Sequence, residues 1–462
     1  MASILFCSEI GADSGHLTPH REVLDVLHQR GHSIHIVVRD LTRATKAFEG
    51  LPLQYWQAPI PQSRPEFVFN PPINFSHILH NSGMGDPIGI AARMAAWRSI
   101  LSATRPRLAI LDHSPAALLA LRGTKVQTVL IGSGFEIPAN ASPIPAFGVT
   151  ANLAIPGKMA ADDNRLLIAF NAALARHGCP ALTSVAQLFH EVPTTIFRTL
   201  PEFDPVPNRG PAQFLGLPSD PPRKAVEWPP GEGARVFAYL KPSEILDTLL
   251  TELNDLKLPT IIASDGISKA QRDKYSTATV RFVPPTVDIV QMGRESHFAI
   301  TNASLTTSVR LLLQGCPLIT IPLQLEQAVT ADNIRRLGAG LIVRANVKED
   351  VARSLSEMLN HARCRNAAQA FAAKYAGQPD NYAERVVAIL DGLLGPSALG
   401  LQENLPGLQE NLPAAAVPAA PAPVLQIPRR PLASGWRSRD SNHRDRRNLQ
   451  NRCGSGRDCG GR

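Results

Sequence analysis

Two residues of types suited to acid–base chemistry stand at corresponding places in the sequence. His16 follows the apolar run Ser3–Ser8, in the loop Ile10-Gly11-Ala12-Asp13-Ser14-Gly15-His16, and Asp112 closes a second apolar run, Arg107–Asp112 (RLAILD). Both runs read as buried strands of one parallel sheet, and ligands bind α/β sheets at the carboxyl ends of their strands. A carboxylate beside an imidazole can orient a general base and stabilise its imidazolium form. Each residue also has a plainer use. His16 serves equally as a capping or solvent-facing side chain, and Asp112 as N-cap for the helix expected over Pro115–Leu121.

A second chemical locus lies in the stretch 298–340, FAITNASLTTSVRLLLQGCPLITIPLQLEQAVTADNIRRLGAG. Phe298–Ile300 reads as a strand stopping at Thr301. Asn302 and Ser304 offer N-cap oxygens for a helix carrying Val309, Leu312 and Leu313 on one face. Gly315 ends it, Pro317–Ile321 resumes as a strand, and a helix follows from about Gln327 to Leu337. A turn rich in Asn, Ser and Thr at a helix N-terminus is either good capping or a phosphate cradle, since free N–H groups and the helix dipole favour an anion. Lys241 stands just past the strand expected over Arg235–Leu240.

Around these loci the chain alternates strands and helices, as a doubly wound α/β protein does. Ser33–Val38, Val126–Ile131 and Thr194–Leu200 extend the first set of strands; Pro259–Ser264, Val280–Pro284 and Leu341–Val343 extend the second. Residues from about 51 to 104 look irregular and proline-bearing; their Trp56, Phe67, Phe69, Phe75, His77, Ile78, Met84 and Met94 either line a cleft or cover the sheet. The segment from Gly134 to about Gly157 is Pro- and Ala-rich and is expected to be mobile. Helices are expected near Lys348–His361, Asn366–Tyr375 and Asn381–Leu394. Beyond Leu394, GLQENLP at 400–406 is repeated at 407–413, followed by Ala/Pro and Gly/Arg/Ser/Asn runs without the apolar content to fold alone.

Composition narrows the function. The net charge of +8 hints at nucleic acid, but ten arginines and five acidic residues after Leu394 hold five of those eight excess charges, so the body has little basic character. Nucleic acid is not expected as a partner. The six cysteines form no CxxC or other metal-ligand spacing, which suits a reducing, cytoplasmic compartment. No signal peptide is expected at the start and no apolar run reaches 18 residues, so at most peripheral membrane contact is expected. The dinucleotide fingerprint GxGxxG and the hydrolase elbow GxSxG are both missing.

The residues of the second locus also carry a resemblance. Thr301-Asn302-Ala303-Ser304-Leu305-Thr306-Thr307, then Arg310, Gly315-Cys316-Pro317, Pro322, Glu326-Gln327 and Asp332-Asn333 resemble the donor signature of the GT-B, UDP-glycosyltransferase-like family, roughly T-H-G-G-x-G-S/T…E-A-L…G-V-P…P…D-Q…N-A. Gly15-His16-Leu17-Thr18-Pro19 with Arg30-Gly31-His32 resembles its G-H-x-x-P…R-G-H. The frame is kept, while Asn302 stands for the usual His, Ala303-Ser304 for a glycine pair, Arg310 for a ribose-binding Glu, and Pro285 for a Gln.

Over residues 1–394 the resemblance implies two Rossmann-like parallel-sheet domains facing a cleft. Residues 1–216 would form the acceptor side, 217–233 a linker and 234–394 the nucleotide-sugar side, with 395–462 a low-complexity basic tail. It implies an inverting transfer from a nucleotide-diphosphate sugar, such as a UDP-sugar, to a hydroxyl of an apolar small molecule or lipid. His16 would be the base and Asp112 its support. Lys241, Val283, Asn302, Ser304, Thr306, Thr307 and Arg310 would hold the donor, and Glu326 and Gln327 the sugar hydroxyls, with no metal or other cofactor. The replacements at Asn302 and Arg310 leave open a non-catalytic GT-B-fold binding protein.

Overall fold

The computed structural model describes residues 1–11, 14–62, 64–206, 209, 212–219, 223–264 and 266–395. Ala12 and Asp13 of the His16 loop, residues 220–222 of the expected linker, and the expected tail apart from Gly395 lie outside these. Two parallel sheets organise the described residues, each built of strands that alternate with helices.

The first sheet contains β1 (Ser3–Ser8), β2 (Ser33–Val38), β3 (Gln54–Gln57), β4 (Leu108–Asp112), β5 (Gln127–Gly132), β6 (Thr194–Phe197) and β7 (Gln213–Phe214), in the order β3-β2-β1-β4-β5-β6-β7. Winding therefore reverses between β1 and β4, and a crevice opens beyond the carboxyl ends of strands at such a reversal. Register puts Ser8 opposite Asp112. The second sheet repeats this pattern with β8 (Val236–Leu240), β9 (Thr260–Ser264), β10 (Val280–Val283), β11 (Phe298–Thr301), β12 (Leu318–Thr320) and β13 (Gly340–Ile342), ordered β10-β9-β8-β11-β12-β13. Its reversal falls between β8 and β11, where Tyr239 pairs with Thr301. The two candidate loci thus occupy equivalent positions in two like sheets.

Both faces of each sheet are covered, which is why the strands read as apolar runs rather than alternating ones. On one face of the first sheet, Leu5, Cys7, Leu111 and Leu130 pack with Trp97, Phe170 and Phe189; on the other, Ile4, Phe6, Ile110 and Val129 pack with Leu24, Leu27, Val387 and Leu390. Those last two belong to the helix Tyr382–Leu394, the end of the described chain, which crosses back onto the first sheet. Arg107 donates to the Leu394 carbonyl at 2.8 Å, and Arg30 pairs with Asp391.

Several expectations change. The region read as irregular holds an 18-residue helix, Pro87–Thr104, and a 21-residue helix, Pro156–Arg176, begins where a mobile segment was expected to end. Apolar residues lie all round the first of these, so no stripe marked it. Phe75, Met84, Met94 and Trp97 are fully buried and cover the sheet rather than lining a cleft, as Ile137, Ile144 and Phe147 do in the Pro-rich segment. Gln213–Phe214, inside the expected first domain but not expected as a strand, pairs with β6 as the last strand of the first sheet. The helix Lys269–Tyr275 follows β9 without having been expected.

Candidate functional site at the first switch point

Four strand ends of the first sheet converge on one cluster. His16 follows β1, Asp112 ends β4, Glu136 lies just beyond β5, and Arg198 is the first residue after β6. The His16 ring meets Asp112 with Nδ1 to Oδ1 at 2.7 Å, while His20 Nε2 lies 2.7 Å from the other carboxylate oxygen. Arg198 Nη2 stands 3.5 Å from Asp112 Oδ2 and 3.8 Å from Glu136 Oε1. Glu136 accepts from the Ser133 N–H at 2.8 Å and from its hydroxyl at 2.9 Å, and its Oε1 is 3.9 Å from His16 Nδ1. Asp112, Glu136, Arg198 and His20 are buried; the His16 side chain keeps 13% of its surface exposed.

The charges follow from burial and pairing. Burial would raise Asp112, but the charges of His16 and Arg198 and two ring hydrogen bonds outweigh it and hold the carboxyl well below its usual range. An ionised carboxylate only accepts, so the ring nitrogens facing it are both N–H donors. Nδ1–H of His16 is thereby fixed, and Nε2 is the nitrogen not engaged with Asp112. Burial disfavours charge on His16 too, yet Asp112 and then Glu136 override it and push the ring up to about 9. On His20 burial prevails and the ring is lowered; His113, packed beside His16, falls to about 4 through burial and the charge of His16.

His16, Asp112 and Glu136 bring three nitrogen and oxygen atoms within 4.8 Å of one another, a spacing a divalent ion accepts. The same atoms belong to an ion-pair network, since Arg198 Nη2 lies within 4 Å of both carboxylates.

At the second switch point, Asn302 bridges backbone. Its Oδ1 accepts from the Lys241 N–H at 2.7 Å, and its Nδ2 donates to the Ile321 carbonyl at 2.9 Å. The expected N-cap bonds are not made: Ser304 sits at the N-cap of the helix Leu305–Leu313 with its side chain making no capping bond. Ser304 is exposed and Thr306 and Thr307 are half-buried in that helix's first turn. Ala303, where the resemblance expects glycine, is buried with φ of 59°. Arg310 donates to the Pro218 carbonyl at 2.8 Å. Gln327 is buried and accepts from the Leu323 N–H at 2.8 Å. Val283 is half-buried at the end of β10. Glu326 lies across from the first cluster, where burial and then Glu136 raise it.

The sequence thus located His16 and Asp112, and the structure joins them. It did not mark His20, Glu136 or Arg198. His20 lies four residues after His16, a spacing that can share a helical face, and a lone Arg ending an apolar strand requires a buried partner.

Comparison with known proteins fixes the architecture. No family model matches the chain. Among solved structures, the calicheamicin glycosyltransferase CalG4 is similar with a TM-score of 0.62, at 15% identity over 86% of this chain and 99% of that one. A kitacinnamycin glycosyltransferase gives 0.60 at 14% identity, over 85% and 98%, and VinC in complex with DTDP gives 0.57 at 17%, over 84% and 98%. The fold is GT-B. Mycobacterium tuberculosis relatives named PGL/p-HBAD biosynthesis glycosyltransferase are 25% identical over 222 residues, 45% of this chain and 51% of theirs. The chain therefore spans about half the length of the curated relatives it matches. Among the described residues no helix is long and apolar enough to cross a membrane.

Proposed function

We propose that this GT-B chain is an inverting glycosyltransferase that moves a sugar from a nucleotide-diphosphate donor to a hydroxyl, with His16 as general base. The observation that carries the reading is the 2.7 Å bond from His16 Nδ1 to Asp112 at the first switch point, which leaves Nε2 available to an acceptor. Nε2 takes the hydroxyl proton as the oxygen attacks the anomeric carbon. The bond from that carbon to the diphosphate oxygen breaks, the nucleoside diphosphate leaves with the electron pair, and Asp112 stabilises the imidazolium. A positioned base of this kind contributes typically ~10²–10⁴-fold.

The uncapped start of the Leu305–Leu313 helix supports a place for the leaving diphosphate, with Thr306 and Thr307 beside it and no metal required. Similarity to VinC, a complex with DTDP, supports a nucleoside diphosphate; the sequence resemblance favours UDP. Exposed Phe67 and Val68 on the first domain, beside the stacked Phe69 and His77, support an apolar acceptor such as a lipid or hydrophobic small molecule. Cytoplasmic residence goes with this reading.

The second reading, a non-catalytic binding protein, is favoured by Asn302 and Arg310, whose polar groups bond scaffold carbonyls and amides. Calorimetric titration with UDP- and dTDP-sugars, followed by turnover of hydroxyl acceptors by wild type and His16→Ala, separates the two. Donor binding with turnover lost in His16→Ala supports transfer; a chain that binds no donor overturns it.

A further inference from the structure

We propose that Glu136 and Arg198 are positioning residues for His16: a carboxylate and a guanidinium, held against each other and against Asp112, that set the charge facing ring nitrogen Nδ1. The consequence for catalysis rests on the proposed function, whereas the charge arrangement does not.

His16 Nδ1 faces two carboxylates, Asp112 Oδ1 at 2.7 Å and Glu136 Oε1 at 3.9 Å. Arg198 Nη2 lies 3.5 Å from the first and 3.8 Å from the second. Nothing about orienting the ring calls for Glu136, since Asp112 already holds the Nδ1 proton. Yet Glu136 is held in place with care. The Ser133 N–H and hydroxyl bond it, and a Cβ on Gly132 would stand 2.7 Å from its Oε2, so the end of β5 leaves room for this carboxylate. Arg198 is the guanidinium that makes two buried carboxylates tolerable within one cluster, because an unpaired buried charge is strongly disfavoured.

Burial also acts on the other groups around the ring. His20 and His113 are held neutral by burial, and Glu326, arriving from the second domain, is pushed towards its protonated form. Asp112 and Glu136 are the carboxylates within 4 Å of Nδ1, and Arg198 bridges them. Glu136 favours a proton on the ring and Arg198 opposes it. In transfer, Glu136 would help stabilise the imidazolium as it forms, and Arg198 would keep that state shallow enough for the ring to release its proton for the next turnover.

Opposite signs distinguish this from a packing role, because lost packing has no reason to move the titration of His16 two ways. The test is an NMR titration of His16 ring signals in the full chain without donor, assigned by comparison with His16→Gln. Glu136→Gln keeps the shape and should lower the His16 titration by roughly one pH unit, and Arg198→Met should raise it by a similar amount. Glu136→Asp should return part of the Glu136→Gln shift. If Arg198→Met fails to fold, Glu136→Gln decides alone: an unmoved or raised titration overturns the proposal. Movement of both variants in the same direction also overturns it. Should the titrations move as expected while no wild-type turnover is found, the glycosyltransferase reading fails and the charge arrangement stands. Turnover with unmoved titrations removes this inference only.

Discussion

Gly11 lies against His16 so closely that no side chain fits between them. A Cβ on Gly11 would stand 2.3 Å from the ring Cγ of His16 and 2.5 Å from its Cδ2. The loop after β1 therefore holds the ring on Asp112 partly by passing its own backbone underneath. Gly11→Ala should force the ring off the carboxylate and lower turnover by about 10²-fold or more, as loss of an aligned base does. The thermal midpoint should fall as well at neutral pH, because moving the ring away takes a partner from the buried Asp112 carboxylate. Steady-state kinetics alongside thermal melts test this, and full activity in Gly11→Ala would show that the ring need not sit where it does.

The rise of His16 to about 9 gives a pH dependence with a definite sign. The base must be unprotonated to accept a proton, and at pH 7 a ring titrating near 9 is free in only about one molecule in a hundred. For the free enzyme, kcat/KM should therefore climb from pH 7 and level off near pH 9. Stability runs the other way. His16 is raised above its unfolded value of 6.5, so the stabilisation it contributes is complete below about 6.5 and is lost as pH rises through about 9. Denaturant melts of wild type and His16→Gln from pH 6 to 10 should converge at the alkaline end. A pH–rate profile flat from 7 to 9 would count against His16 as the titrating base.

Much of this was legible in the chain. Ser3–Ser8, Ser33–Val38 and Pro115–Leu121 form elements with the bounds their apolar runs give, and the alternation of strands and helices sufficed for the two sheets. His16 and Asp112 were readable because each stands at a strand end, a position that local pattern marks. Glu136 and Arg198 were not, because they approach Asp112 only once β5 and β6 take their places beside β4, 86 residues separating Arg198 from its carboxylate. The helix Pro87–Thr104 escaped because it is apolar on several sides, being packed between the helices Pro115–Leu121 and Pro156–Arg176. The position of Asn302 was readable, but its partners Lys241 and Ile321 come from neighbouring strand ends and depend on the crossover order.

Those partners make Asn302 a joint between three strand ends. Asn302→Ala leaves the Lys241 N–H and the Ile321 carbonyl without the amide, and an unsatisfied buried group costs about 1–3 kcal/mol. Thermal melting of Asn302→Ala should show a clear fall, together with weaker donor binding because the turn before the Leu305–Leu313 helix loosens. Weakened donor binding with an unchanged midpoint would instead place the Asn302 amide on the donor.

Ala303, one residue on, occupies left-handed backbone at φ 59°, which a Cβ makes unfavourable by roughly 1–2 kcal/mol. Ala303→Gly removes that cost and returns part of it as unfolded-state entropy, so stability should hold or rise slightly. The same change opens the backbone beside the uncapped helix start. Donor affinity should therefore be retained or improved, measured by calorimetry with the donor panel. A fall of more than about 1 kcal/mol in stability would mean that the methyl group packs for more than its backbone costs.

The helix Tyr382–Leu394 follows the second sheet in sequence and buries its apolar face against the first. Tyr382, Val386, Val387, Leu390 and Leu394 are buried in the same cluster as Ile4, Phe6, Leu24 and Ile110, residues that carry β1 and β4 and hence His16 and Asp112. Leu390 is fully buried there, and truncating such a leucine costs about 2–5 kcal/mol, depending on how far the site collapses. Leu390→Ala should therefore destabilise the first sheet, 278 residues in sequence from the Asp112 it helps to place. Hydrogen exchange should reveal it as lost protection in β1 and β4, with β8 and β11 less affected. Protection lost only in the second sheet would mean that the returning helix is held by its own domain and contributes nothing to the floor beneath His16.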